Sequence, residues 1–276
     1  MVATLSDTKA VRAFKIFYSE ETRLRIDAGF IPLDNSNPLT PGWFEIEPIL
    51  AALRQIDWSD FKTMGVFSPR FIEKTGLSYS NLCDFISEDG AESDVYIFSP
   101  QPDMGAFFLN VFEQGETFDP GFKTLGHAVF SELGVMADLD SLVMDSRRIV
   151  FSNYFAAKKQ FWGRWRELVE GLVALSESSS ELGQQLRRKT SYPGGVQVKV
   201  FLAERIASLI LATEPQWKVR AYNPFGFAWS ATRFRENPNV AYIHDALKIA
   251  YRDTGRQEYM DAFAYMRQRF IDRKTD

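Results

Sequence analysis

The stretch that most limits how this chain can fold runs from Tyr79 to Asp103, YSNLCDFISEDGAESDVYIFSPQPD. Leu82, Phe85 and Ile86 recur three and four apart, which predicts a helix, and Asp89-Gly90 closes it. Val95 to Phe98 is a continuous apolar run between turn residues, the pattern of a strand covered on both faces. The run stops at Ser99-Pro100-Gln101-Pro102-Asp103, a proline-rich turn with one acid. Ligands of open α/β sheets bind beyond the carboxyl ends of the strands. The loop Ser99 to Asp103 is therefore expected to line the deepest cleft, together with the end of the first strand at Phe17 to Ser19.

Strand and helix patterns alternate along the rest of the chain. Val11 to Tyr18, Phe61 to Phe67, Arg148 to Ala156 and Trp217 to Tyr222 read as further strands. Trp43 to Leu53, Phe107 to Phe112, Phe122 to Leu133, Phe161 to Leu175 and Val198 to Ala212 read as helices, the last apolar nearly all round. Met1 to Lys9 reads as a polar leader and Ser19 to Gly42 as a long covering loop. Ser176 to Gly195 reads as a mobile loop or partly helical lid, and two helices with basic ends follow Tyr242. Such alternation predicts an α/β fold with a mostly parallel sheet. One domain over residues 1–240, with a helical extension over 241–276 packed on it, accounts for the whole length.

Several function classes are excluded. Neither GxGxxG, GxxxxGK[ST] nor GxSxG occurs, which argues against dinucleotide dehydrogenases, P-loop NTPases and α/β-hydrolases. One cysteine and two histidines rule out a disulfide framework and a cysteine- or multi-histidine metal site, leaving oxygen ligands for any metal. Cys83 reads as a small buried apolar residue. The net charge of −4 does not favour a nucleic-acid partner. No run is long enough to span a bilayer and no signal-peptide pattern opens the chain, so a cytoplasmic protein with at most peripheral membrane contact is expected.

Four segments occur in a telling order: TPGWFEIEPILAAL leading into FKTMGVFSPRF, then SDVYIFSPQPD, RIVFSNYFAAKKQFWGRW and VKVFLAERIASLILAT. The set, covering most of Thr40 to Thr213, resembles glycosyltransferase-like proteins of lipopolysaccharide-core, capsule and O-antigen synthesis. That resemblance implies a single GT-A-like, Rossmann-like domain binding a nucleotide sugar or other phosphorylated sugar donor, a glycan acceptor, and work beside other glycosyltransferases. The third segment is similar to an asparagine-bearing strand that follows the donor site in such enzymes. The fourth is similar to their late helix with an adjacent acid and arginine, here Glu204 and Arg205. GT-A enzymes commonly end the donor-site strand in Asp-x-Asp, which holds a divalent metal. Here that strand end carries only Asp103, and the sole Asp-x-Asp is Asp138-Leu139-Asp140. The departure implies weak dependence on Mn²⁺ or Mg²⁺, with Asp103 or the pair Asp138 and Asp140 as the only candidate ligands. It equally fits a non-catalytic glycosyltransferase-like module that binds glycan or a partner enzyme.

Glu204 is the sharpest catalytic candidate. A carboxylate on a helix apolar all round is withdrawn from water at a cost of several kcal/mol. It is expected to be either a general base for an acceptor hydroxyl or half of an ion pair with an arginine. Asp103 is expected as a metal or sugar ligand, or as a helix cap. Tyr18, Ser19, Ser99, Gln101, Asn153, Arg205 and Arg188 complete the candidate donor-binding set. Arg187, Arg188 and Lys189 form a basic cluster able to fold over a diphosphate, or a solvated helix end. Glu113 and Glu116 read as solvated, and His127 and His244 as packed or exposed rather than ligating.

Overall fold

The computed structural model describes residues 11–40 and 42–272, with the side chain of Asp272 excepted; Met1 to Lys9 and the final basic residues lie outside them. Six strands, β1 (Val11–Phe17), β2 (Ile31–Asp34), β3 (Thr63–Phe67), β4 (Val95–Ile97), β5 (Phe155–Lys158) and β6 (Val219–Ala221), form one sheet in the order β2-β1-β3-β5-β4-β6. The β1–β2, β1–β3 and β4–β6 pairs are parallel, and β5 runs antiparallel between β3 and β4. The α/β expectation with a mostly parallel sheet holds.

Alternation along the strands sorts side chains between two apolar layers. Met64, Val66, Val95, Ile97, Phe155 and Ala157 face one, while Phe67, Tyr96, Phe98, Tyr154 and Ala156 face the other. This explains why Val95 to Phe98 is unbroken apolar sequence: neither of its faces meets water. The first layer is closed by helices α2 (Ile46–Gln55), α6 (Val111–Phe118), α7 (Phe122–Glu132), α8 (Lys159–Glu177), α9 (Glu181–Leu186) and α10 (Val198–Thr213). The second is closed by α3 (Phe71–Thr75), α4 (Tyr79–Ser87) and Phe30.

Two short helices lie outside those layers: α1 (Glu20–Leu24), with no buried residue, and α5 (Pro102–Phe107). The chain ends in α11 (Pro238–Thr254) and α12 (Gln257–Asp272). Lys248 of α11 is fully buried and donates to the carbonyls of Gly105 (2.6 Å) and Phe108 (2.9 Å), capping the end of α5.

Several sequence expectations are corrected. The stretch from Ser19 to Gly42 holds α1 and the edge strand β2, whose mostly exposed IPLD lacks an apolar alternation to announce it. Phe107 to Phe112 is not one helix, because the Asn110 side chain accepts from the amides of Phe112 and Glu113 and starts α6 afresh. Gly115 sits inside α6 rather than between helices, where its missing side chain admits the Phe122 ring. Arg148 to Tyr154 is irregular, and only Phe155 onward is strand. Ser176 to Gly195 contains α9 and a bridge from Lys189 to Gln197.

Candidate active site

The connections leaving β1 set the position of the site. The chain passes from β1 to β2 across the face that holds Ile26 and Phe30, and from β2 to β3 through α2 on the opposite face. The carboxyl ends of β1 and β3 are thus a point where the winding reverses and a crevice opens. Tyr18 follows β1 there and Ser68 follows β3. Because β5 is antiparallel, its leading residue Tyr154 reaches the same edge, and its hydroxyl lies 2.5 Å from Ser68 Oγ.

Glu45 enters this edge from the turn before α2. Asn35 fixes that turn: its amide donates to the Phe17 carbonyl (2.9 Å) and its side chain to the Phe44 carbonyl (3.0 Å). Phe44 adopts φ +49°, an uncommon left-handed conformation that aims the next residue inward. Lys74 comes from α3, its Nζ donating to Ser152 Oγ at 2.9 Å and lying 5.5 Å from the Tyr154 ring centre. Glu204 comes from α10, on the side of that helix that is not packed into the core.

Glu45 and Glu204 are both half-buried, surrounded by protein yet reachable by water. Burial pushes the Glu45 carboxyl up to about 8, and the charge of Glu204 adds to the shift. Lys74 and the neighbouring hydroxyls of Ser68 and Tyr18 oppose it. Burial also raises Glu204, against the attraction of Arg205 and Lys74. Lys74 is lowered by burial despite the two carboxylates, and the phenols of Tyr18 and Tyr154 are driven upward chiefly by burial. The two carboxyls titrate as a pair, and because the Glu204 charge raises Glu45, the proton the pair keeps longest lies on Glu45. Two carboxyls whose surroundings hold their protons with different strength can perform proton transfer in both directions.

The rim is basic and aromatic. Arg70 pairs with Glu73 (2.6 Å) and lies in the electrostatic reach of Tyr154 and Tyr192. The exposed Tyr192 packs edge-on against Phe201, one turn before Glu204, at 5.4 Å between ring centres.

The candidates from the sequence divide sharply. Glu204 and Tyr18 enter the site, and Asn153 adjoins it. Asn153 is buried at φ +53° beside Ser152 at φ +58°, and its Oδ1 has no partner. Glu204 forms no ion pair with Arg205. The Arg205 guanidinium instead donates to the carbonyls of Val111 and Phe201 and to the Gln114 side chain, and stacks on Phe122. Asp103 is 1% exposed and spends both oxygens on the amide and hydroxyl of Ser230. It lies in the first turn of α5, whose cap position is Gln101. Ser19 caps α1, and Ser99 Oγ accepts from the Phe151 amide. Arg188 is held bidentately by Asp119, and Arg187 by the carbonyls of Ser176 and Ser178. Glu113 pairs with Arg267, and Glu116 accepts from the amides of Gly121 and Lys123, so neither is simply solvated.

The loop from Ser99 and the end of β1 do not share one cleft. Ser99 to Pro102 line a tight cavity of about 20 Å³ with Phe225 and Asp245, whereas Phe17 opens on a separate polar recess with Glu20 and Asp34. His127, Asp138 and Asp140 bring three metal-type ligands within 4.8 Å at the surface, but Lys123 already pairs with Asp140.

The residues missed in the sequence are Glu45, Ser68, Lys74 and Tyr154. Their only local signal was turn residues at the ends of apolar strands, SPR after β3 and WFE before α2. No family model, curated protein or solved structure matches the chain.

Proposed function

We propose that the protein is a glycosyltransferase of the GT-A type that moves a sugar from a nucleotide-activated or other phosphorylated donor onto a growing surface polysaccharide. The observation that carries this reading is the Glu45, Glu204 and Lys74 cluster at the winding reversal of the sheet. In the proposed reaction an acceptor hydroxyl oxygen attacks the anomeric carbon of the donor. The hydroxyl proton passes to the charged Glu204 carboxylate, and the bond from the anomeric carbon to the phosphate oxygen breaks. Lys74, with Arg70 at the rim, meets the negative charge left on the departing phosphate. Glu45 supplies a neutral carboxyl that donates to a donor or acceptor oxygen. No step calls for a metal, and the Asp103 carboxylate has a structural task instead.

No helix among the described residues is long and apolar enough to cross a membrane. The proposal places the enzyme on the cytoplasmic side, where activated sugars are made, with at most peripheral contact with the membrane. The rival is a non-catalytic module that binds glycan or a partner enzyme. It is favoured by one observation: the acid at the β4 end is turned inward to Ser230.

A thermal-shift screen with nucleotide sugars, UDP, GDP, CMP and phosphoribosyl pyrophosphate, with Mn²⁺ or with EDTA, tests the proposal. A donor at a hundredfold over its dissociation constant stabilises by about 3 kcal/mol, and the shift should survive EDTA and vanish in Lys74→Ala. Absence of any shift with all these compounds transfers the lead to the binding module.

A further inference from the structure

Helix α10 is buried at every residue from Val198 to Leu211 except two, Phe201 and Glu204. Three residues apart, they share one face of the helix. Over that length, water reaches α10 only along the strip from the Phe201 ring to the Glu204 carboxyl. Across the sheet edge, α3 repeats the arrangement. The Lys74 amide donates to the Arg70 carbonyl at 3.0 Å, so Arg70 stands one turn, about 5.4 Å, from Lys74. Each wall thus carries a charged group of the site and, one turn away, a second residue at the rim.

Tyr192 joins the two rim residues. Its ring meets Phe201 edge-on, 5.4 Å between centres, and its phenol lies in the electrostatic reach of Arg70. It is nevertheless 59% exposed, and its hydroxyl has no hydrogen-bond partner among the described residues. The backbone beneath it is firmly held. Arg188 is clamped on Asp119, the Thr190 amide and hydroxyl both donate to the Val196 carbonyl (2.9 Å), and the Ser191 hydroxyl donates to the Phe118 carbonyl (3.3 Å). The Gly195 amide closes the turn on the Tyr192 carbonyl (3.0 Å), with Gly194 and Gly195 at φ +88° and +65°, where glycine is unstrained. All of these bonds fix the position of the tyrosine, and none of them covers its ring.

The surroundings decide the chemistry of what the ring would meet. Positive charge gathers on the α3 side, at Lys74 and Arg70. The α10 side offers a carboxyl, with Glu45 close by, and aromatic surface, so a phosphate placed there would face two acids. A molecule held on that side has to give Glu204 a hydroxyl and lay an apolar face on Tyr192. A neutral sugar ring does both, with hydroxyls at its edge and C–H groups on its faces, which the negative face of an aromatic ring attracts. A nucleobase can stack on the ring but brings no aliphatic hydroxyl to Glu204.

We infer that Tyr192 is the recognition platform for a neutral pyranose, which lays its C–H face on this ring while presenting a hydroxyl to Glu204. Naming that sugar the acceptor rests on the transferase reading above; the binding of a neutral pyranose beside Glu204 does not.

The test uses the full chain and a panel of methyl hexosides, followed by saturation-transfer NMR and by melting temperature. At least one hexoside should bind the wild type, with its C–H protons shifted upfield by the ring. Its affinity should fall about tenfold or more in Tyr192→Ala and be retained in Tyr192→Phe, which keeps the ring and loses only the hydroxyl. Tyr192→Ala should melt with the wild type because the side chain is mostly exposed, which separates lost binding from lost folding. Failure of every hexoside to bind, undiminished affinity in Tyr192→Ala, or an equal loss in Tyr192→Phe overturns the inference. So does the same pattern obtained with uridine or guanosine in place of the hexosides. Hexoside binding as expected, with no nucleotide sugar or other phosphorylated donor bound, overturns the transferase reading alone; donor binding without any hexoside binding overturns this inference alone.

Discussion

Glu45 and Glu204 come from opposite ends of the fold's construction, one from the turn before α2 and one from the middle of α10, and each carboxyl is raised by the burial they share. Burial leads the Glu45 shift, the charge on Glu204 follows, and Lys74 offsets part of both. The pair stores unfavourable electrostatics that folding has to overcome, the condition expected of a site kept for chemistry rather than for stability.

The first prediction concerns stability. With Glu45 raised to about 8 from an unfolded value of 4.5, the folded state holds the extra proton between those limits. Stability should therefore be greatest at the acid end of this window and be lost as pH rises through it, by an amount on the order of 5 kcal/mol. Glu45→Gln should leave the melting temperature at pH 5 almost unchanged and raise it at pH 8. A variant that melts lower than the wild type at pH 8 contradicts the burial account.

Glu204→Gln keeps the shape of the side chain and breaks no ion pair. Folding and donor binding should survive, while turnover falls roughly 10²- to 10⁴-fold, the usual worth of a positioned base. The Glu45 carboxyl should also titrate at lower pH once its charged neighbour is gone, which carboxyl-carbon NMR can follow. Near-normal turnover would remove Glu204 from the mechanism.

His244 works in the opposite pH direction. It is fully buried between Phe107 and Phe263, neither ring nitrogen has a partner, and burial, with Lys248 and Arg267 nearby, lowers it to about 4. The unfolded chain takes up this proton near 6.5, so stability should fall as pH drops from 6.5 to 4, by about 3 kcal/mol. His244→Leu should flatten the acid limb of the melting-temperature profile, and an unaltered limb would assign acid lability elsewhere.

Asp103→Ala should behave as a structural lesion. Removing the carboxylate leaves the Ser230 amide and hydroxyl buried without their acceptor, which costs about 2 kcal/mol and lowers Tm by several degrees. Turnover per folded molecule should stay near that of the wild type. Loss of turnover without loss of stability would restore Asp103 to the chemistry.

Burial and hydrogen bonding explain which parts of this molecule were legible beforehand. Val95 to Phe98 and Val198 to Ala212 are apolar throughout because water reaches neither face of β4 and little of α10, so composition alone revealed their depth. The same signal exposed Glu204, a lone acid in an apolar helix. The α/β alternation and the absence of phosphate-loop motifs were likewise properties of the sequence by itself. Tertiary structure alone decided the rest. β2 is an exposed edge strand held by pairing with β1, and local pattern does not report pairing. Asp103 looked like a ligand until Ser230, distant in sequence, claimed both its oxygens. Glu45, Ser68, Lys74 and Tyr154 looked ordinary because each is unremarkable in its own segment. Their shifted ionisation arises only from the winding reversal at β1 and β3 and the antiparallel course of β5, which bring them to one sheet edge. Pairwise electrostatics depends on distance in space, and the order of residues along the chain does not encode it.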